Sequence, residues 1–271
     1  MIDPVPGLGV HFDDGVLRLV LDRPEKRNAI DDVMMRGLIG AFEAAATDDR
    51  VRVVLLEGAG ADFCAGADII ARNTLDRTGG DAKPRAGSIQ RRLPTQAHRL
   101  IPLVCTVQVP VVCKVRGWAA GIGFQLALAA DFTVAAADAR LWEPFAERGF
   151  TPDSGATWLL PRRVGEVRAR ELLLLGRVLT GEDAAAWGAV HACEPEATLD
   201  ARVGELVARL GAGPTVSLGL TKWLLHEGAG SALEPHLANE AFALEISSRT
   251  QDFREGLAAL REKRPPRFEG S

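Results

Sequence analysis

Positive charge is in short supply here, and lysine especially so. The 271 residues carry a net charge of −4, with a pI near 5.8, which excludes a general attraction to nucleic acid or anionic membrane. Only five of the 32 basic residues are lysines, so a polyanionic ligand would need a local cluster, and each lysine is worth following. Cysteine is sparse too. Cys64, Cys105, Cys113 and Cys193 include no C-x-x-C pair, and His11, His98, His191, His226 and His236 are scattered without metal-like spacing. This predicts four buried thiols in a reducing compartment, with no disulfide and no metal site. No apolar run reaches the ~18 residues of a membrane span. The opening MIDPVPGLGV has no basic stretch followed by an apolar core, so the expectation is a cytoplasmic protein without a signal peptide. Hydrophobic residues at 47% and charged residues at 25% leave ample core for one large domain or two small ones.

What is present is organised around Val109–Ala135. The apolar, β-branched run Val109–Val115 predicts a buried strand, Gly117, Gly121 and Gly123 a tight turn, and Phe124–Ala130 a buried helix. A strand feeding a glycine turn at a helix N-terminus leaves backbone N–H groups facing outward, where negative charge is favoured. It is neither the G-x-G-x-x-G fingerprint nor a P-loop, so chemistry here needs a second donor and a reacting group.

The rest of the chain supplies candidates for both. Val10–Phe12 and Val16–Leu21 read as a hairpin around Asp13-Asp14-Gly15. Arg23 to Asn28 is a polar loop with three cations, Asp31 is a predicted N-cap for a helix to Ala46, and Arg52–Leu56 is a short buried strand. A second glycine-marked turn, Gly58 to Ile69, follows, so strand, glycine turn and helix occur twice. Arg72–Arg92 is polar and rich in Gly and Pro, which predicts a mobile loop. A helix over Thr95–Val107, distorted at Pro102, leads into the central strand. Beyond it come a strand at Asp131–Ala135, the segment Leu141–Pro152 and a short helix at Thr157–Leu160. From Glu166 the pattern is mostly helical: 166–175, 182–187, 198–210, 214–226, 231–248 and 250–262. Gly211-Ala212-Gly213-Pro214 marks the boundary between an α/β core over residues 1–210 and a helical region over 211–271.

Four segments carry a resemblance. They are Leu21-Asp22-Arg23-Pro24-Glu25-Lys26-Arg27-Asn28-Ala29, Phe63-Cys64-Ala65-Gly66-Ala67-Asp68-Ile69, Gly117-Trp118-Ala119-Ala120-Gly121-Ile122-Gly123 and Glu262-Lys263-Arg264-Pro265-Pro266-Arg267-Phe268. In this order and at this spacing the chain resembles the crotonase (enoyl-CoA hydratase/isomerase) superfamily over nearly its whole length. The resemblance implies an α/β spiral of ββα units with two stacked sheets. It also implies a C-terminal helical trimerisation region, a homotrimer or hexamer, and an acyl-CoA thioester substrate. Coenzyme A then enters as part of the substrate, with no separate cofactor. The backbone N–H groups of Ala67 and Ile122 would form an oxyanion hole for the enolate. Lys26, Ala65, Asp68 and Ile69 would lie along coenzyme A, and Lys263 would meet a phosphate, with a neighbouring subunit as one route. From the residues alone, the cluster of Arg23, Lys26 and Arg27 reads equally as a solvated loop.

The chain departs from the family's hydratases where their two glutamates stand. Gln125 occupies the first position and Phe145 the second. Hydration needs one group to activate water and another to protonate the α-carbon, and neither an amide nor a phenyl ring does either. Asp153, where hydratases commonly carry glycine, resembles the aspartate of family isomerases acting on dienoyl-CoA or ring-epoxidised phenylacetyl-CoA. Apolar neighbours expected around it, Trp142, Phe145, Phe150 and Trp118, would suit a carboxyl that takes and returns a proton. An N-cap of the helix at Gly155–Leu160 is the competing role for Asp153. Glu143 and Glu147, both two residues from Phe145, are expected to be surface ion-pairing residues, or substitutes for the missing carboxylates. Ser154 is no nucleophile elbow, since Pro152 and Ala156 stand at the glycine positions of G-x-S-x-G.

Three functions follow as alternatives: an acyl-CoA isomerase using Asp153, an enoyl-CoA hydratase of β-oxidation recruiting Glu143 or Glu147, and a catalytically silent acyl-CoA binder. Gln125, Trp142 and Phe145 are expected to shape the acyl pocket.

Overall fold

The computed structural model describes residues 4–68 and 87–271. Ile69 and most of the Arg72–Arg92 segment lie outside the described residues. Two strands open the chain, β1 (Leu8–Asp13) and β2 (Val16–Leu21), paired antiparallel across Asp14 and Gly15, both of which have positive φ. The helix α1 (Asp32–Ala45) begins where Asp31 Oδ1 accepts from the Val33 and Met34 N–H groups, both at 2.9 Å, a cap that contributes about 0.5–2 kcal/mol. The strand β3 (Val53–Gly58), helices α2 (Ser88–Arg92) and α3 (Ala97–Thr106, with Pro102 inside it), and β4 (Val111–Val115) follow. Next come β5 (Trp118–Ala120), α4 (Ile122–Ala129), β6 (Phe132–Ala136) and β7 (Arg140–Trp142).

Helices α5 (Ala156–Val164) and α6 (Glu166–Leu175) lead to β8 (Leu179–Thr180), α7 (Gly181–Ala186), β9 (Ala192–Glu194) and α8 (Glu196–Gly211). The chain ends in α9 (Thr215–Gly228), α10 (Leu233–Ser247) and α11 (Gln251–Glu262).

One sheet has six strands in the order β1-β2-β3-β4-β6-β9, parallel apart from the opening hairpin; the other has β5-β7-β8. This is the α/β arrangement that the resemblance implied. Parallel strands buried on both faces read as continuous apolar runs, which is why β3 and β4 were legible. The short strands of the second sheet were not, and neither was β9. Two or three residues carry no periodicity, and their pairing is set by distant partners, as with Arg140 and Thr180 in the second sheet or Val134 and Ala192 for β9. The predicted helix at 157–160 instead extends to Val164. Its far end is anchored by the Arg163 guanidinium, which donates to the Leu128 and Ala130 carbonyls.

All four cysteines are free, but only Cys64 and Cys113 are buried; Cys105 and Cys193 are half-buried, which corrects the expectation of four buried thiols. Among the described residues no helix is long and apolar enough to cross a membrane, and no His, Cys, Asp and Glu cluster could hold a metal.

Candidate active site

Backbone lacing brings the two glycine turns together. The Cys64 N–H donates to Trp118 O at 2.8 Å, and the Ala120 N–H donates to Cys64 O at 2.8 Å. The first loop is sewn on from the other side: Ala65 N–H to Arg27 O, Ile30 N–H to Gly66 O and Asp68 N–H to Ile30 O, at 2.8, 2.8 and 2.9 Å. Every neighbour of Ala67 is thus tied, while the Ala67 N–H itself donates to nothing among the described residues. Across from it, Gly121 takes φ +51°, a conformation L side chains rarely adopt. That turn starts α4 at Ile122, whose N–H is a first-turn donor unpaired among the described residues. The Gly121 N–H is spent on Trp142 O at 2.9 Å, which fixes the turn to the end of β7.

Ala67, Ile122 and Asp153 line one cavity of about 490 Å3, together with Ala65, Phe145, Phe150 and the edge of α3. Asp153 is its only carboxylate among the described residues. It is half-buried, and its Oδ1 accepts from Ser154 Oγ at 2.8 Å. The competing N-cap role fails: α5 is capped at Gly155 with no side-chain hydrogen bond, so the Asp153 carboxyl is left to the cavity. Phe145 is 3% exposed and packs edge-on against Phe150 at 5.5 Å.

Two expected neighbours of Asp153 are elsewhere. Trp142 Nε1–H donates to Gly176 O at 3.0 Å and its ring packs on Trp118 at 5.9 Å; neither indole lines the cavity.

The glutamates depart furthest from expectation. Glu147 is exposed and lies off the cavity. Glu143 is no surface residue but 1% exposed, and it takes both its hydrogen bonds from the Gln125 amide, Nε2–H donating at 2.9 and 2.8 Å. Burial drives the Glu143 carboxyl well above the ordinary carboxylate range; the Gln125 bonds pull partly back, and the Asp153 charge adds to the rise. The fates of the two glutamates part because β7 ends at Trp142 and a turn follows from Pro144. Gln125, on α4, is wholly buried and partnered with Glu143 rather than lining the cavity.

Of the residues expected along coenzyme A, Ala65 lines the cavity, whereas Lys26 and Lys263 are exposed and lie off it. Lys26 closes the short helix Pro24–Lys26, and Lys263 caps α11 with φ +57°. Asp68 is 8% exposed and takes a bond from the Arg23 guanidinium at 3.1 Å, so it braces the loop. Sequence reasoning missed Asn28. It is buried with φ +56°, and its amide donates to the Ala59 and Asp62 carbonyls while its Oδ1 accepts from the Arg23 N–H. A lone Asn in a polar loop gives no signal of such a knot. Cys64, behind the turn, has its thiol pushed up to about 12 by burial and so offers no thiolate nucleophile.

Comparison with known proteins identifies the family and the fold. The family model described as enoyl-CoA hydratase/isomerase matches residues 11–271. The chain is 38% identical to a 1,2-epoxyphenylacetyl-CoA isomerase of Escherichia coli K12 over 260 residues, covering 96% of this chain and 97% of that protein. It is 33% identical to a 2,3-dehydroadipyl-CoA hydratase of the same organism, covering 94% and 95%. A crystal structure of an enoyl-CoA hydratase from Bacillus anthracis superimposes with a TM-score of 0.88 at 28% identity, covering 98% of this chain and 100% of that one.

Proposed function

The chain belongs to the enoyl-CoA hydratase/isomerase family, and from that footing we propose that it isomerises an unsaturated or ring-epoxidised aromatic acyl-CoA, with Asp153 as its single acid/base. The observation that carries this reading is that one cavity is lined both by a carboxylate residue, Asp153, and by Ala67 and Ile122, whose backbone N–H groups are unpaired among the described residues. Ala67 and Ile122 donate to the thioester oxygen. Asp153 removes a proton from the α-carbon of a 3-enoyl thioester, and the C–H electron pair moves into the enolate conjugated with the neighbouring double bond. Returning that proton two carbons away completes the shift, with no water and no second base. Coenzyme A arrives with the substrate, and no further cofactor is required. The 38% identity to an isomerase supports the same reading.

Hydration fits less well. Phe145 and Gln125 stand at the positions of the hydratase glutamates, Glu147 is off the cavity, and Glu143 is held by Gln125 outside its lining. The chain is proposed to assemble as a homotrimer or a hexamer, because α9, α10 and α11 expose Leu225, Leu233, Phe242, Leu244 and Leu260.

Incubating the protein separately with a 3-enoyl-CoA and with crotonyl-CoA tests the reaction. The double bond of the first is expected to move to the 2-position, while the second gains no water above the background rate. Brisk hydration of crotonyl-CoA would reverse the assignment.

A further inference from the structure

Gln125 Oε1 is buried and accepts no hydrogen bond among the described residues, although the same amide's Nε2 bonds both oxygens of Glu143. An ionised Glu143 can only accept, so it leaves that oxygen orphaned in a fully buried place, which is costly. A protonated Glu143 offers the missing donor: by giving up one of the two Nε2 contacts, the pair lets the Glu143 O–H turn to Gln125 Oε1 while its carbonyl oxygen keeps the Nε2–H. The placement of the pair is also particular. Gln125 stands one turn along α4 from the donor residue Ile122, and Glu143 follows Trp142, whose carbonyl holds the Gly121 N–H. The pair therefore lies behind the turn that makes the oxyanion donor.

We propose that Gln125 and Glu143 form a buried acid–amide pair in which Glu143 keeps its proton, so that Asp153 is the sole anion of the site. Glu143 is a positioning residue: it touches no cavity surface and acts through its charge state on Asp153 and through Gln125 on α4. Ionising it would set a second negative charge beside Asp153 and against the forming enolate.

Among the described residues no cation is paired with Glu143. On α4 the only polar side chain is Gln125 itself. From the 143–153 segment, Asp153 acts on Glu143 by its charge, Arg148 lies over the Trp142 ring while also lining the cavity, and Glu147 lies against Gly176. On α5, Arg163 is spent on the Leu128 and Ala130 carbonyls and Arg162 on the Trp158 ring. On α3, His98 and Arg99 are exposed, His98 at the cavity edge and Arg99 on Glu43. Arg140, at the start of β7, lies over the Trp118 ring. Burial without a compensating cation favours the neutral acid, in keeping with the rise described above.

The proposal rests on Asp153 being the acid/base, yet its test is separable from that reading. Infrared difference spectra of the whole protein in D2O at neutral pH, wild type minus Glu143→Gln, are expected to lose the C=O stretch of a protonated carboxyl. The alkaline fall of kcat/KM caused by Glu143 ionisation is expected to vanish in the same variant, since an amide cannot ionise. Gln125→Glu sets two carboxyls on one proton and adds charge beside Asp153. It is expected to move the acid limb of kcat/KM upward by roughly one unit or more. Loss of a carboxylate band in place of the acid band, or an unmoved acid limb in Gln125→Glu, overturns the pair. The infrared difference does not depend on turnover, so undiminished activity in an Asp153 variant would sink the catalytic reading while leaving the protonation of Glu143 decided on its own.

Discussion

Asp153→Asn is expected to lower turnover on the true substrate by roughly 10²–10⁴-fold, with CoA-thioester binding nearly unchanged. Asparagine keeps the size of the side chain and an oxygen to accept from Ser154 Oγ, so the local hydrogen bond survives. The cap of α5 is not at stake, because Gly155 holds that position without a side-chain bond. What disappears is the only carboxylate lining the cavity among the described residues, and an amide does not carry a proton between carbons. Steady-state kcat beside the Kd of a non-reactive saturated acyl-CoA separates chemistry from binding. An Asp153→Asn enzyme with wild-type kcat would remove this residue from the mechanism.

Gly123→Ala is expected to be nearly as damaging, by a route that leaves every polar side chain in place. An added Cβ would stand 2.6 Å from Cys64 O, 2.7 Å from Cys64 Cβ and 3.0 Å from Cys64 Sγ. The nearest of these is backbone, and it is committed. Cys64 O accepts from the Ala120 N–H, and the Cys64 N–H is bonded to Trp118 O. The clash therefore pushes α4 away from the 64–67 turn, and the two proposed oxyanion donors, the N–H groups of Ala67 and Ile122, diverge. Overpacking of this kind costs about 1–3 kcal/mol, visible as a lower Tm. Displacing one oxyanion donor costs about 10²–10³ in kcat. Circular dichroism of the native helices separates a folded, slow enzyme from an unfolded one; a folded variant with wild-type kcat would show that the two turns need not touch.

How much of this could be read from the residues depended on whether a feature was local. Asp31 at the head of α1, the hairpin around Asp13-Asp14-Gly15 and the tail helices were legible because caps, turns and 3.6-residue periodicity are short-range signals. The pairing of Ala67 with Ile122 needed two turns about 50 residues apart to be recognised as partners, and the resemblance supplied that, not the spacing. The burial of Glu143 escaped altogether. In sequence it is one acid in a stretch with Glu147 and Arg148, and only the end of β7 at Trp142 and the turn at Pro144 separate their fates. Asn28 and the Arg23–Asp68 ion pair were hidden for the same reason, since their partners lie 31 to 45 positions away.

Hydrogen exchange at the α-carbon is the most direct measurement. In D2O, with a thioester that can form an enolate but cannot rearrange, the wild-type protein is expected to wash deuterium into the α-position, detected by NMR as loss of the α-proton signal, and Asp153→Asn is expected not to. Equal exchange by both proteins, or exchange by neither while the thioester is bound, would contradict a lone aspartate working against two main-chain N–H donors.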